Sequence, residues 1–114
     1  MIMERPRIRH IAVNAQDRES EAAYYTKVFG LEEKYRGPNG TIYMSDGHIG
    51  VAIINAPDRP WGLNHFGFQV DSVEAIENIA EVTTVKNTPG AVGECWLRDQ
   101  EGFRVDVSEV GWPI

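Results

Sequence analysis

The sequence predicts an α+β fold built from two copies of one βαβββ unit, and three observations predict it. Runs of alternating apolar and polar residues, the period of a half-buried strand, occur twice in the order strand, helix, three strands. The break "NAPDRPWG", Asn55 to Gly62, holds two prolines and a glycine and separates the two runs. A histidine stands third in the opening strand of each run, His10 in "IRHIAVN" and His65 in "LNHFGFQ". Their offset, 65 − 10 = 55 residues, is the period of an internal duplication. One domain over residues 1–114 is expected, with a first module at about 6–56 and a second at about 62–110.

In the first module "IRHIAVNA" alternates as a strand. "DRESEAAYYTKVFG" changes to a helical period, with Asp17 as N-cap, acidic residues in the first turn, apolar residues at Ala22, Tyr25 and Phe29, and Gly30 as the stop. "LEEKYR", "TIYMS" and "IGVAII" follow as strands, separated by "GPNG" and "DG", which tolerate positive φ. In the second module "LNHFGFQV" is a strand and "DSVEAIENIAE" a helix capped by Asp71 or Ser72. "TTVKNT", "ECWLRD" and "FRVDVSEV" complete it as strands, the last after the turn "DQEG".

Composition narrows the function. The net charge of −6 and pI near 5.0 argue against nucleic acid or an anionic membrane surface, which are bound through clustered Lys and Arg. The basic residues are scattered along the chain, and no Lys/Arg cluster is evident. Cys95 is the lone cysteine and reads as a reduced, partly buried thiol. The opening "MIMERPRIRH" lacks the apolar core of a signal peptide, and no run approaches the roughly 20 apolar residues a spanning helix needs. A cytoplasmic location is the default expectation.

Alternation assigns faces. Ile11 and Val13 pack beneath the first helix, which turns His10, Ala12 and Asn14 the other way. Phe66, Phe68 and Val70 pack beneath the second, leaving His65, Gly67 and Gln69 opposite. In the last strand Phe103, Val105 and Val107 form the apolar row and Arg104, Asp106 and Ser108 the polar one. His10, His65 and Asp106 thus share a concave face. Two imidazoles and a carboxylate are a common set for a divalent metal with coordination positions left open. A carboxylate enclosed on a sheet face is costly unless paired, and a cation supplies the pairing.

With these pieces in place the chain resembles the vicinal oxygen chelate superfamily, the fold of glyoxalase I, bleomycin-resistance proteins and type I extradiol dioxygenases. The resemblance is carried by "IRHIAVNAQDRESEAAYYTKVFGLE", "LNHFGFQVDSVEAI" and "WLRDQEGFRVDV", nearly the whole chain. It implies paired βαβββ modules forming a curved mixed sheet around a concave metal or ligand cavity. Metal-dependent members take ligands from the opening and closing strands of each module, and His10 and His65 fall on the two opening positions. The second closing ligand, usually a glutamate four residues after the turn glycine, falls on Asp106. That shortens the reach by one methylene, on the order of 1.3–1.5 Å, and Glu109, of the opposite parity, is the alternative. The first closing ligand would fall near Val51 or Ala52, neither of which can ligate, so glutathione-linked glyoxalase chemistry is not expected. His48, four residues before Ala52, stands either as a pocket residue and displaced base or as an exposed turn histidine. Trp96 matches a closing-hairpin position whose aromatic lines the cavity in relatives, with Tyr43 and Trp61 as further walls. A fosfomycin-type transferase is disfavoured, because Ala12 replaces the hydroxyl it needs and no cationic cluster is evident.

The resemblance therefore implies a divalent ion (Fe2+, Mn2+, Zn2+ or Ni2+) and a small substrate with vicinal oxygens, processed by a lyase, isomerase or ring-opening dioxygenase. The competing expectation is a protein that binds a drug or metabolite without catalysis. A homodimer is expected, with no nucleic-acid or membrane partner.

Overall fold

The structure, a computed structural model, describes residues 4–87 and 94–114. Thr88, the last residue of the expected strand "TTVKNT", lies outside the described residues. The first half contains β1 (Arg7–Asn14), α1 (Arg18–Phe29), β2 (Glu32–Arg36), β3 (Ile42–Ser45) and β4 (Gly50–Ile54). The second contains β5 (Gly62–Gln69), α2 (Val73–Ala80), β6 (Val85–Lys86), β7 (Glu94–Arg98) and β8 (Arg104–Ser108). Both halves run β-α-β-β-β.

The described strands form one mixed sheet in the order β2-β3-β4-β1-β5-β8-β7-β6. The two opening strands, β1 and β5, pair antiparallel at its centre. Each is flanked by the closing strand of its own half in parallel, β4 beside β1 and β8 beside β5. The halves are therefore joined along the two strands that carry the histidines.

Local chemistry accounts for the helices. The Asp17 side chain accepts the Ser20 N–H at 3.0 Å, and Gly30 at φ +73° sends its N–H back to the last turn of α1. At α2 the cap is Ser72, whose hydroxyl accepts the Ala75 N–H at 3.0 Å, while Asp71 instead accepts the Glu4 N–H. α1 packs Ala22 and Tyr25 on Ala15, Ile42, Met44 and Ile53. α2 packs Val73 and Ile76 on Phe68, Val70, Cys95 and Val107.

Several apolar residues assigned to the core are uncovered. Phe29 ends α1 and is exposed, and Phe103 belongs to the turn before β8 rather than to its apolar row. Phe66 does face the helix side but is 38% exposed, because α1 covers β3 and β4 and α2 covers β7 and β8, leaving the centre between them open. The concave face holds a third cluster of Ala12, Tyr43, Ala52 and Trp112. Trp112 follows the last strand, and strand periodicity gave no reason to place it there.

Candidate metal centre and cavity

Register brings the polar residues together. His10 stands opposite Gly67, and Gly67 opposite Asp106, so the three form one row across β1, β5 and β8. His65 is two residues before Gly67 on the same face, opposite Ala12. The middle of the row must be glycine. A Cβ on Gly67 would lie 2.9 Å from Trp112 Cη2, 3.0 Å from Asp106 Cβ and 3.1 Å from Asp106 O.

His10 is 2% exposed and Asp106 fully buried. The His10 Nε2 is 3.3 Å from the His65 Nε2 and 3.7 Å from the Asp106 Oδ2, and the His65 Nε2 is 3.0 Å from that same oxygen. Ligands about 2.1 Å from one ion stand about 3.0–3.4 Å apart; two of the three separations fall in that range, and the His10–Asp106 separation of 3.7 Å is a few tenths of an ångström longer. The donor chemistry fits a shared cation as well. The His65 Nδ1 donates to Asn64 Oδ1 at 2.6 Å, which leaves a lone pair on Nε2 facing a carboxylate oxygen and a second imidazole nitrogen. Three electron-rich atoms then converge, and a proton or a cation among them relieves the repulsion. The His10 Nδ1 is buried and has no hydrogen-bond partner among the described residues. Its ring is held by Trp112, stacked at 4.5 Å between centroids and 3° between planes.

Burial pushes the His10 imidazole down to about 3, against the attraction of Asp106, so the ring is neutral and able to ligate. Burial pushes Asp106 up, but the neighbouring Arg104 guanidinium and the His65 ring outweigh it and hold the carboxyl below its ordinary value. Arg104 Nε donates to Asp106 Oδ1 at 2.8 Å, on the oxygen that does not face the histidines.

His10, His65 and Arg104 line a cavity of about 300 Å³ together with Tyr43, Trp96 and Glu94, with Asp106 buried behind them, a volume at the lower end of small-molecule sites. Tyr43 and Trp96 are walls of this cavity. Burial, followed by the charges of Glu94, Tyr35 and Asp106, pushes the Tyr43 phenol up to about 12, so it stays protonated. Ala52 lines the cavity where a fourth ligand would stand.

Three of the expected site residues lie elsewhere. Trp61 lines a separate depression with Val13 and Ser20; it precedes β5, which begins at Gly62, so strand alternation does not direct its side chain. His48 is exposed in the turn between β3 and β4. The alternation assumed for it breaks there because β4 starts only at Gly50, and its carbonyl accepts Arg9 Nη1 at 2.7 Å. Glu109 accepts the Val73 N–H at 2.8 Å at the start of α2, not among the histidines.

Sequence reasoning missed Glu94, Trp112 and a set of arginines. Glu94 lines the cavity and takes the indole N–H of Trp112. Burial and the charge of Asp106 push its carboxyl up to about 7, against the pull of the Trp112 hydrogen bond. A signal existed, since Glu94 has the parity of Trp96 two residues later. Basic residues that are scattered along the sequence come together in the fold. Arg98 and Arg104 each place the guanidinium carbon 5.2 Å from the Trp96 ring centroid, and Arg59 joins Arg104 in the cavity lining. Arg98 and Arg104 stand opposite each other across the β7–β8 hairpin, and Arg59 reaches the cavity from the loop before β5.

Comparison with known proteins agrees with this architecture. A hypothetical protein from Bacillus halodurans C-125 superposes with a TM-score of 0.72 at 15% identity, over 91% of this chain and 94% of that one. Homoprotocatechuate 2,3-dioxygenase from Brevibacterium fuscum, in complex with 3,4-dihydroxyphenylacetate, superposes with a TM-score of 0.74 at 20% identity. That match covers 95% of this chain but 37% of the dioxygenase, so this chain spans about a third of that enzyme's length. A glyoxalase/bleomycin resistance protein/dioxygenase superfamily member from Vibrio splendidus 12B01 superposes with a TM-score of 0.65 at 13% identity, over 90% of this chain and 97% of that one. At these identities the likeness is one of fold. No curated protein matches the chain. The profile of the Glyoxalase/Bleomycin resistance protein/Dioxygenase superfamily matches residues 7–105, and the chain belongs to that superfamily.

Proposed function

We propose that the protein is a metal-dependent enzyme in which His10, His65 and Asp106 hold a divalent ion, Fe2+, Mn2+, Zn2+ or Ni2+, that chelates the paired oxygens of a small substrate. The reaction is of the lyase, isomerase or extradiol ring-opening class. The convergence of the two Nε2 atoms and the Asp106 Oδ2 carries this reading. A bound ion supplies Lewis-acid stabilisation of an oxyanion or enolate on the substrate.

The chain's own residues do the rest. Asn64 fixes the His65 ring with Nε2 toward the site, and the Trp112 stack fixes His10. Tyr43 and Trp96 wall the cavity for an apolar or ring-bearing ligand. Glu94 holds or releases a proton near neutrality beside Asp106.

One observation favours a second reading, a protein that binds its ligand without catalysis. Arg104 already reaches both oxygens of Asp106 without a metal, Nε to Oδ1 at 2.8 Å and Nη2 to Oδ2 at 3.4 Å. Metal analysis after reconstitution separates the two. Wild-type protein is expected to bind one equivalent, and His10→Ala and Asp106→Ala to lose it with at least a 100-fold drop in affinity, whereas Glu109→Ala keeps it. A wild type that takes up no metal supports the binding-protein reading, and loss of metal in Glu109→Ala alone shows the carboxylate was misassigned.

The reading includes a homodimer. Leu63 is 81% exposed on the open centre of the helix-side face, where Ile8 and Phe66 are also uncovered, and such an apolar stripe on central strands calls for cover.

A further inference from the structure

Beside the cavity lies a second pocket of about 250 Å³, lined by Arg59, Arg98 and Arg104 together with Pro60, Asn64, Gly102 and Phe103. Arg59 and Arg104 also line the histidine cavity, so the two spaces share a wall. Three arginines line it and no carboxylate is in the lining, on a chain whose net charge is −6. Asp106 pairs with Arg104, but Arg59 and Arg98 have no ion-pair partner among the described residues, so an excess of positive charge remains at the pocket.

Its hydrogen-bonding capacity is largely unspent. Arg59 makes no ion pair among the described residues, and its side chain has no hydrogen-bond partner there. Arg98 gives only Nη1, to the Gly102 carbonyl at 2.9 Å. Arg104 gives Nε and Nη2 to Asp106 and Asn87, which leaves Nη1. The nearby Asp99 spends Oδ1 on the N–H groups of Glu101 and Phe103 inside its own turn. Asn64 uses its Oδ1 on His65, so its amide N–H groups remain as further donors in the same lining.

The cluster is also preorganised. The buried Asn14 side chain donates to the carbonyls of Ala56, Arg59 and Pro60 and accepts the Ala56 N–H at 2.7 Å, which pins the loop that carries Arg59. The Arg98 and Arg104 guanidiniums lie against the Trp96 ring. Fixed forks of N–H donors suit the oxygens of a carboxylate or a phosphate, and fixing them in advance removes part of the entropy cost of binding.

We propose that this pocket receives an oxyanion, of the carboxylate or phosphate class, carried on the same small molecule whose paired oxygens sit at His10, His65 and Asp106. The chelating half of that molecule rests on the metal reading above, whereas the arginine subsite does not.

Two titrations test the halves separately. Inorganic phosphate and benzoate are titrated in parallel into metal-free protein while the arginine Nε–H signals are followed by NMR. Saturable shifts at Arg59 and Arg98 are expected, with affinity reduced at least tenfold in Arg59→Ala and in Arg98→Gln and unchanged in His48→Ala, whose side chain lies outside both pockets. Whichever anion binds more tightly names the oxyanion class. No saturable shift, or equal affinity in the arginine variants, overturns the proposal. Catechol and 3,4-dihydroxybenzoate are then compared on metal-loaded protein. The carboxylated ligand is expected to bind about tenfold more tightly, and the ratio to collapse to about one in Arg59→Ala. A ratio of one in the wild type overturns the link between the two sites. Phosphate or benzoate binding in a protein that takes up no metal leaves the arginine subsite standing and removes the metal reading.

Discussion

At the scale of single residues, the site depends on which groups are charged. His10 is held neutral by burial, with its imidazole pushed down to about 3, so its contribution to stability is present above the ordinary value of 6.5 and is lost as pH falls toward 3. Glu94 works in the opposite sense. Its carboxyl is raised from 4.5 to about 7, so the fold favours the protonated form. Its contribution is full below pH 4.5 and is lost as pH rises through about 7. In metal-free protein, subtracting the melting profile of Glu94→Gln from that of the wild type isolates this group. The wild type is expected to lose stability relative to the variant between pH 4.5 and 7, and parallel profiles would show that Glu94 is not held protonated. Glu94 could have been read from the parity of β7 once Trp96 was placed in the cavity. Trp112 could not, because a tryptophan beyond the last strand carries no periodic signal.

At the scale of elements, the C-terminal Gly111–Trp112 segment closes the concave face against two glycines. A Cβ on Gly50 would lie 3.2 Å from Pro113 O and 3.4 Å from Trp112 Cβ, and one on Gly67 would meet both Trp112 and the β8 backbone. Gly67→Ala is therefore expected to destabilise by about 1–3 kcal/mol, as overpacking does. It should also weaken metal binding, because Asp106 is one of the atoms displaced. Chemical denaturation and metal titration of that variant read the two effects, and wild-type values in both would refute the close packing. Combining it with Trp112→Ala relieves only the side-chain contact. The clash with Asp106 O remains, so stability should not return to that of the Trp112→Ala protein. The helices are easier to read from sequence than this segment. Asp17 and Gly30 mark the ends of α1 through local chemistry alone, and at α2 only the choice between Asp71 and Ser72 needed the fold.

At the scale of the whole molecule, the two helices cover the flanks of the sheet and leave its central pair open on the helix side. A homodimer that covers this strip should become monomeric when Leu63 is changed to glutamate, with the sheet and metal binding retained. Light scattering after gel filtration distinguishes the outcomes. A monomeric wild type would refute the homodimer, and a dimeric Leu63→Glu protein would place the contact elsewhere. Charge is also organised at this scale. An acidic chain gathers Arg59, Arg98 and Arg104 around one pocket, although no two of them are neighbours in sequence.

Local chemistry alone fixes the repeated order of elements, the facing of the strand interiors and the equivalence of His10 and His65, because side-chain period and turn chemistry are local properties. It also pointed to Asp106, since parity along β8 is set by the strand itself. Tertiary structure decided what depends on register between distant strands and on chain beyond the periodic elements. Gly67 separates His10 from Asp106 across three strands, Trp112 folds back onto His10, and Trp61 and His48 fall outside the cavity because the strands beside them begin one or two residues later. The arginine pocket belongs to the same class. Arg98 and Arg104 come from one hairpin and Arg59 from a loop, and only the folded sheet brings that loop beside the hairpin.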